Sequence, residues 1–130
     1  MKVLLDTNAY VKLVRGHPGL SEALEQADDV LFSTVVLGEL RGGFRFGTRQ
    51  HENERLLRDF LDNETSAVLG VTEDVADRYA DLYAELRRRG TPIPANDLWI
   101  AATALEAGAR LVTYDTHFAA VPGLAVLAPV

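Results

Sequence analysis

The sequence predicts an α/β fold in which a parallel five-stranded sheet is sandwiched between α-helices. Three observations carry that expectation. Short apolar runs recur along the chain, segments of helical period stand between them, and Gly, Pro and capping Ser, Thr or Asn residues punctuate the joins. Apolar runs that are continuous, and do not alternate with polar residues, are characteristic of strands covered on both faces.

The first strand is KVLL, residues 2–5, which stops at Asp6; Thr7 or Asn8 then caps a helix through AYVKLVRG. His17, Pro18 and Gly19 break the chain before a short helix, SEALEQA, and VLFS at 30–33 is the second strand. Ser33 or Thr34 caps the next helix, VVLGELRGGF. Its stripe of Val35, Val36, Glu39, Gly43 and Phe46 falls at spacings of three, four and seven. From Arg49 to Asn63 an amphipathic helix turns Leu56, Leu57, Phe60 and Leu61 inward. SAVLGV is the third strand, and Thr72 caps a long helix over 73–89 with Val75, Tyr79, Leu82 and Leu86 along one seam and Gly90 closing it. A PIPAN loop leads into a helix from Asp97 to Ala107, closed by Gly108. RLVTY at 110–114 is the fourth strand, and LAVLAP contains the fifth.

Composition narrows the function classes. A chain of 130 residues, 48% of them hydrophobic, suits one well-packed domain spanning residues 1–130. The apolar run at the start is too short for a signal-peptide core, and no stretch approaches a membrane span, so a cytoplasmic protein is expected. The absence of cysteine excludes disulfides, thiolate metal sites and a thiol nucleophile. A formal charge of -6 argues against binding phosphate through a basic surplus, but not against meeting it through cations held by carboxylates.

Four carboxylates stand out. In an open parallel sheet, ligands bind beyond the carboxyl ends of the strands, where the strand order reverses. Asp6 and Asp115 directly follow two of the expected strands, and side-by-side strands would bring their carboxylates together. Glu39 falls within the apolar stripe of its helix, so its charge is directed toward the body of the protein and calls for a partner. Asp97 heads a stripe of Ile100, Ala101 and Ala104, whose small alanines let the helix lie close on the sheet. Taken alone, Asp6 and Asp115 have an ordinary explanation as strand-end residues and Asp97 as a helix-start acid beside an Asn96 cap, whereas Glu39, in an apolar stripe, is evenly balanced between a structural and a functional role. Together they repel unless a cation lies among them, and an oxygen-only donor set favours a hard ion, Mg2+ or Mn2+.

The ordered runs LLDTN, GEL, PIPANDLWIAA and LVTYDTHF resemble the successive motifs of PIN-domain ribonucleases, and in length and wording the VapC toxins of toxin-antitoxin modules. The resemblance covers nearly the whole chain. It implies a PIN-like fold and an active site of Asp6, Glu39, Asp97 and Asp115, with Asn8 and Thr113 at positions that support the acids through hydrogen bonds. It also implies a homodimer, an RNA substrate, and a cognate VapB-type antitoxin in a toxin-antitoxin hetero-oligomer.

The expected reaction is endonucleolytic RNA cleavage that leaves a 5'-phosphate and a 3'-hydroxyl. One or two divalent ions would supply positive charge at the reacting phosphate and a lowered pKa for the attacking water. Asp6 and Asp97 are expected as the main ligands, with Asp115 and Glu39 completing the cluster. Arg41, Arg45 and Arg49, four residues apart and C-terminal to Glu39, would line one face toward RNA if the helix continues past Gly42 and Gly43; otherwise they form a solvated face. His17 and His51 read as surface residues, and His117, two residues after Asp115, as surface packing near the site, with a contact to substrate or phosphate as the alternative. Trp99 and the tyrosines read as core or subunit contacts, with the WIAATAL face and the Tyr79, Tyr83 seam as dimer candidates.

Other classes fit less well. A haloacid-dehalogenase phosphatase needs a second aspartate where Asn8 stands. A receiver domain needs a late lysine, and the chain has lysine only at positions 2 and 12. A catalytically silent PIN-like module that binds RNA or protein would have lost one of the four acids, and none is lost.

Overall fold

The structure, a computed structural model, describes residues 1–130. Strands β1 (Lys2–Leu5), β2 (Asp29–Ser33), β3 (Ser66–Leu69), β4 (Arg110–Val112) and β5 (Val126–Leu127) form one sheet in the order β3-β2-β1-β4-β5, parallel throughout. Six helices flank it: α1 (Thr7–Val14), α2 (Pro18–Glu25), α3 (Thr34–Phe46), α4 (Gln50–Leu61), α5 (Glu73–Arg88) and α6 (Ala95–Ala107). The strand order reverses between β1 and β4, the two strands that carry the first and last acids. A crevice is therefore expected beyond their carboxyl ends.

The central strands are apolar because both their faces are covered: Val3, Leu4, Leu5, Phe32, Leu111 and Val112 are fully buried. Helix α6 has almost no polar face, and Leu98 together with every residue from Ile100 to Ala104 is buried. It packs on α5 and α3 within the same chain, so the WIAATAL face is occupied by core contacts and is not free for a second subunit. Trp99 stacks on Tyr79 with ring centroids 3.9 Å apart, which joins α5 to α6. No helix is long and apolar enough to cross a membrane.

Several local expectations change. The first helix begins at Thr7 and not at Ala9, because the Asp6 carboxylate accepts the Ala9 N–H at 2.8 Å and is itself the cap. Helix α2 starts at Pro18, capped by His17, whose Nδ1 accepts the Leu20 N–H at 3.1 Å; His17 is half-buried and structural. Helix α3 continues through Gly42 and Gly43 to Phe46, and Ser33 caps it. Its buried arc is Val36, Leu37 and Leu40, with Phe44 partly buried, while Phe46 lies fully in solvent. Leu56 of α4 is exposed too, because Leu57 takes the inward position. The strands β3, β4 and β5 are shorter than the apolar runs that contain them.

Candidate active site

The parallel register pairs Leu5 with Val112, so Asp6 and Thr113 leave adjacent strands together. Asp6 is 5% exposed. One carboxylate oxygen caps α1, and the other accepts a hydrogen bond from the Thr113 hydroxyl, which ties the end of β1 to the end of β4. Thr113 is buried as well, and its Oγ1 in turn accepts the Asp115 N–H at 3.0 Å. That turn explains why β4 ends at Val112 and does not run on to Tyr114. The chain leaves the sheet so that Asp115 can swing into the crevice. Asp115 then caps a 3-10 turn, Thr116–Ala120, by accepting the His117 N–H at 2.9 Å.

Asp97 arrives from the other side, in the first turn of α6, where the helix dipole favours a carboxylate. Asn96 is not a cap, since the helix already starts at Ala95 behind Pro94; its amide donates to Glu39 Oε2 at 3.3 Å. Glu39 is exposed and does not lie in the buried arc of α3. It sits at the border of that arc, one residue around from Leu40, and reaches the crevice held by the Thr7 hydroxyl at 2.6 Å and by Asn96. The partner that its position called for is therefore a pair of neutral donors.

The electrostatics follow from this crowding. Burial pushes the Asp6 carboxyl above its ordinary value, and the nearby Asp115 and Glu39 charges add to the rise. Asp97 is raised in the same direction, by burial first and then by Asp115 and Glu39. No Arg or Lys forms an ion pair with any of the four acids. The only cationic candidate in contact is His117, whose Nδ1 lies 3.2 Å from Asp115 Oδ1 and 3.6 Å from Asp97 Oδ2. The donor atoms of Asp97, Asp115 and His117 all lie within 4.8 Å of one another. A crowded carboxylate cluster in which Asp6 and Asp97 are raised by burial first and by neighbouring charge second, with no Arg or Lys to neutralise it, fits a divalent cation.

A cation held by this arrangement would compete with protons. A raised carboxyl favours the protonated form in the folded state, so its stabilising effect on the ion-free fold is full in acid and is lost as pH rises through the raised values of Asp6 and Asp97. A cation needs the deprotonated forms and gains over the same range. The rise in melting temperature on adding Mn2+ is expected to be smallest in acid and to grow toward neutral pH. An equal rise at every pH in thermal melts would contradict it.

The crevice continues into a groove of about 540 Å³ between α1, α3 and α4, whose lining includes Thr7, Tyr10, Glu39, Arg15 and Arg49. Arg41 and Arg45 do not line it. Arg41 is paired with Glu54 at 3.2 Å, and Arg45 is exposed on the outer side of α3. Asn8 is exposed and makes no hydrogen bond to the acids; Thr7, one residue earlier, contacts Glu39 instead. His51 is exposed on α4. Sequence reasoning missed Thr7, Asn96 and the inward turn of His117. The Asp-x-His spacing at 115–117 was the available signal for the last.

The fold and this acid-lined crevice define a PIN domain, and the sequence matches the PIN domain family over residues 3–124. Ribonuclease VapC5 of Mycobacterium tuberculosis is 37% identical over 125 residues, covering 94% of this chain and 89% of that protein. Ribonuclease VapC1 of Haemophilus influenzae is 32% identical over 119 residues, covering 88% and 87%. Among solved structures, VapBC2 from Rickettsia felis, bound to a DNA fragment from its promoter, superposes with a TM-score of 0.87 at 29% identity, covering 98% of each chain. VapBC-1 from nontypeable Haemophilus influenzae has a TM-score of 0.87 at 28% identity, covering 98% and 97%. The chain belongs to the PIN-domain family, in its VapC ribonuclease branch.

Proposed function

We propose that the chain is a metal-dependent endoribonuclease, the toxin of a toxin-antitoxin pair, acting on cytoplasmic RNA. The observation that carries this reading is the convergence of Asp6, Asp97 and Asp115, with Glu39 at the rim, at the sheet's switch point without a neutralising Arg or Lys. The VapC relatives and the VapBC structures support it.

Asp6, Asp97 and Asp115 would hold Mg2+ or Mn2+, with Glu39 completing the cluster at its edge. When bound, the cation offsets charge on the reacting phosphate and makes water a stronger nucleophile. The chain's own residues do the rest. Thr113 holds the Asp6 carboxylate in one orientation, so that ligand is set before any ion arrives. Thr7 and Asn96 hold Glu39 at the edge of the crevice, where its carboxylate can accept a proton from water approaching the phosphate. Arg15 and Arg49, in the groove wall, are placed to contact flanking phosphates. The same groove and acids suit a VapB-type antitoxin that inserts an arginine among the carboxylates, which would offset their charge with a bidentate partner.

Purified protein free of antitoxin should cut a mixed RNA pool in Mg2+ or Mn2+ and leave it intact in EDTA. Products should carry 5'-phosphates. Cleavage that persists in EDTA would remove the metal from the mechanism. Binding of RNA without cleavage in any metal would favour the silent binding module instead.

A further inference from the structure

We propose that His117 is a direct ligand of the cation held by Asp97 and Asp115, through Nδ1, and that this nitrogen biases the site toward Mn2+ over Mg2+. The inference rests on the metal-dependent reading of the same acids and adds a ligand that the oxygen-only set does not contain.

The imidazole is delivered to the acids by the backbone. Its own N–H is bonded to Asp115, and the next residue, Phe118, is 1% exposed and anchors the 3-10 turn in the core. Only the side chain of His117 is half in solvent, at 56% exposure, so the ring stands at the mouth of the crevice on a fixed base.

The spacing is that of ligands around one ion. Bonds of about 2.1 Å in octahedral geometry place neighbouring ligand atoms about 3 Å apart and opposite ones about 4.2 Å apart. The separations of 3.2 Å to Asp115 and 3.6 Å to Asp97 correspond to neighbouring positions. An imidazole-carboxylate ion pair has similar distances, and coupling of the ring nitrogen to a bound ion is what distinguishes a ligand from such a pair. The His117 Nδ1 converges with both carboxylates, all three donor atoms lying within 4.8 Å of one another.

The chemical consequence is selectivity. Mg2+ takes oxygen ligands and gives up water reluctantly, whereas imidazole suits the first-row transition ions. One nitrogen in the set should therefore strengthen Mn2+ binding and leave Mg2+ nearly unchanged.

The test uses the full-length protein in imidazole-free buffer, with Mn2+ and Mg2+ titrated separately by calorimetry and the Mn2+ form examined by pulsed electron paramagnetic resonance for nitrogen coupling. His17 caps α2 and His51 stands on α4, so His117 is the one imidazole beside the acids. The expected result is imidazole nitrogen coupling that disappears in His117→Ala, with Mn2+ affinity falling roughly tenfold and Mg2+ affinity less than about twofold. Mn2+ that binds through Asp97, as shown by loss in Asp97→Asn, but carries no nitrogen coupling would overturn the proposal and leave the nuclease site standing. Failure of the unmodified protein to bind either ion would remove both readings.

Discussion

Asp6→Asn protein is expected to keep its fold and to lose RNA cleavage by roughly a thousandfold or more. The asparagine carbonyl can still accept the Ala9 N–H that starts α1, so the cap survives. What disappears is one negative charge, the proposed ligand, in a crevice whose other acids come from the ends of β4 and α6 and from α3. A cation's stabilisation of the reacting phosphate amounts to several kcal/mol, and about 4 kcal/mol corresponds to a thousandfold in rate. Asp6→Ala should lose as much activity and also about 1 kcal/mol of stability, because the cap goes with the charge. Steady-state cleavage of a defined RNA beside thermal melts separates the two effects. Asp6→Asn protein with near-normal turnover would show that Asp6 only builds the helix start.

Phe32→Ala lowers stability by about 3 to 5 kcal/mol, which for a domain of this size corresponds to a fall in melting temperature on the order of 10 to 20 °C. Phe32 is fully buried on β2 and packs edge-on against Tyr10 of α1 at 5.8 Å and Phe60 of α4 at 5.6 Å. Tyr10 and Phe60 also meet each other at 5.8 Å, so the three rings close a triangle between the sheet and two helices. Removing the central ring leaves a cavity that two aromatic neighbours cannot collapse to fill. The cluster lies away from β4 and α6. Cation affinity measured well below the melting temperature should therefore stay within about twofold of the unmodified protein. A melting temperature unchanged by the substitution would mean that the triangle contributes little.

Much of this molecule was legible in the linear sequence because its signals are local. The strands β1 and β2 declare themselves as apolar runs, and Thr72 and Ser33 cap the helices that follow them. Gly108 ends α6 at a φ of 64°, a conformation that glycine adopts without strain. The four acids were visible too: Asp6 and Asp115 after strands, Asp97 at a helix start, Glu39 in a helical stripe, and all of them in the ordered motifs around them. None of that required knowing which strand lies beside which.

The third dimension decided matters that depend on partners distant in sequence. Asp6 and Thr113 are 107 residues apart, and only the β1-β4 pairing makes them hydrogen-bond partners. Glu39 looked inward by periodicity, yet it sits at the edge of its buried arc, because a helical stripe is wide and its border is set by the element it meets. Arg41 is paired with Glu54 on the neighbouring helix, a pairing that no spacing within α3 reveals. His117 read as surface packing in the sequence, and the turn capped by Asp115 brought it over two carboxylates. The sequence by itself determined the order of elements and the identity of the acids, since helix caps, apolar periods and turn residues act over a few positions. Which side chains share the crevice was decided by tertiary structure alone, since that follows from strand order and helix packing across the whole chain.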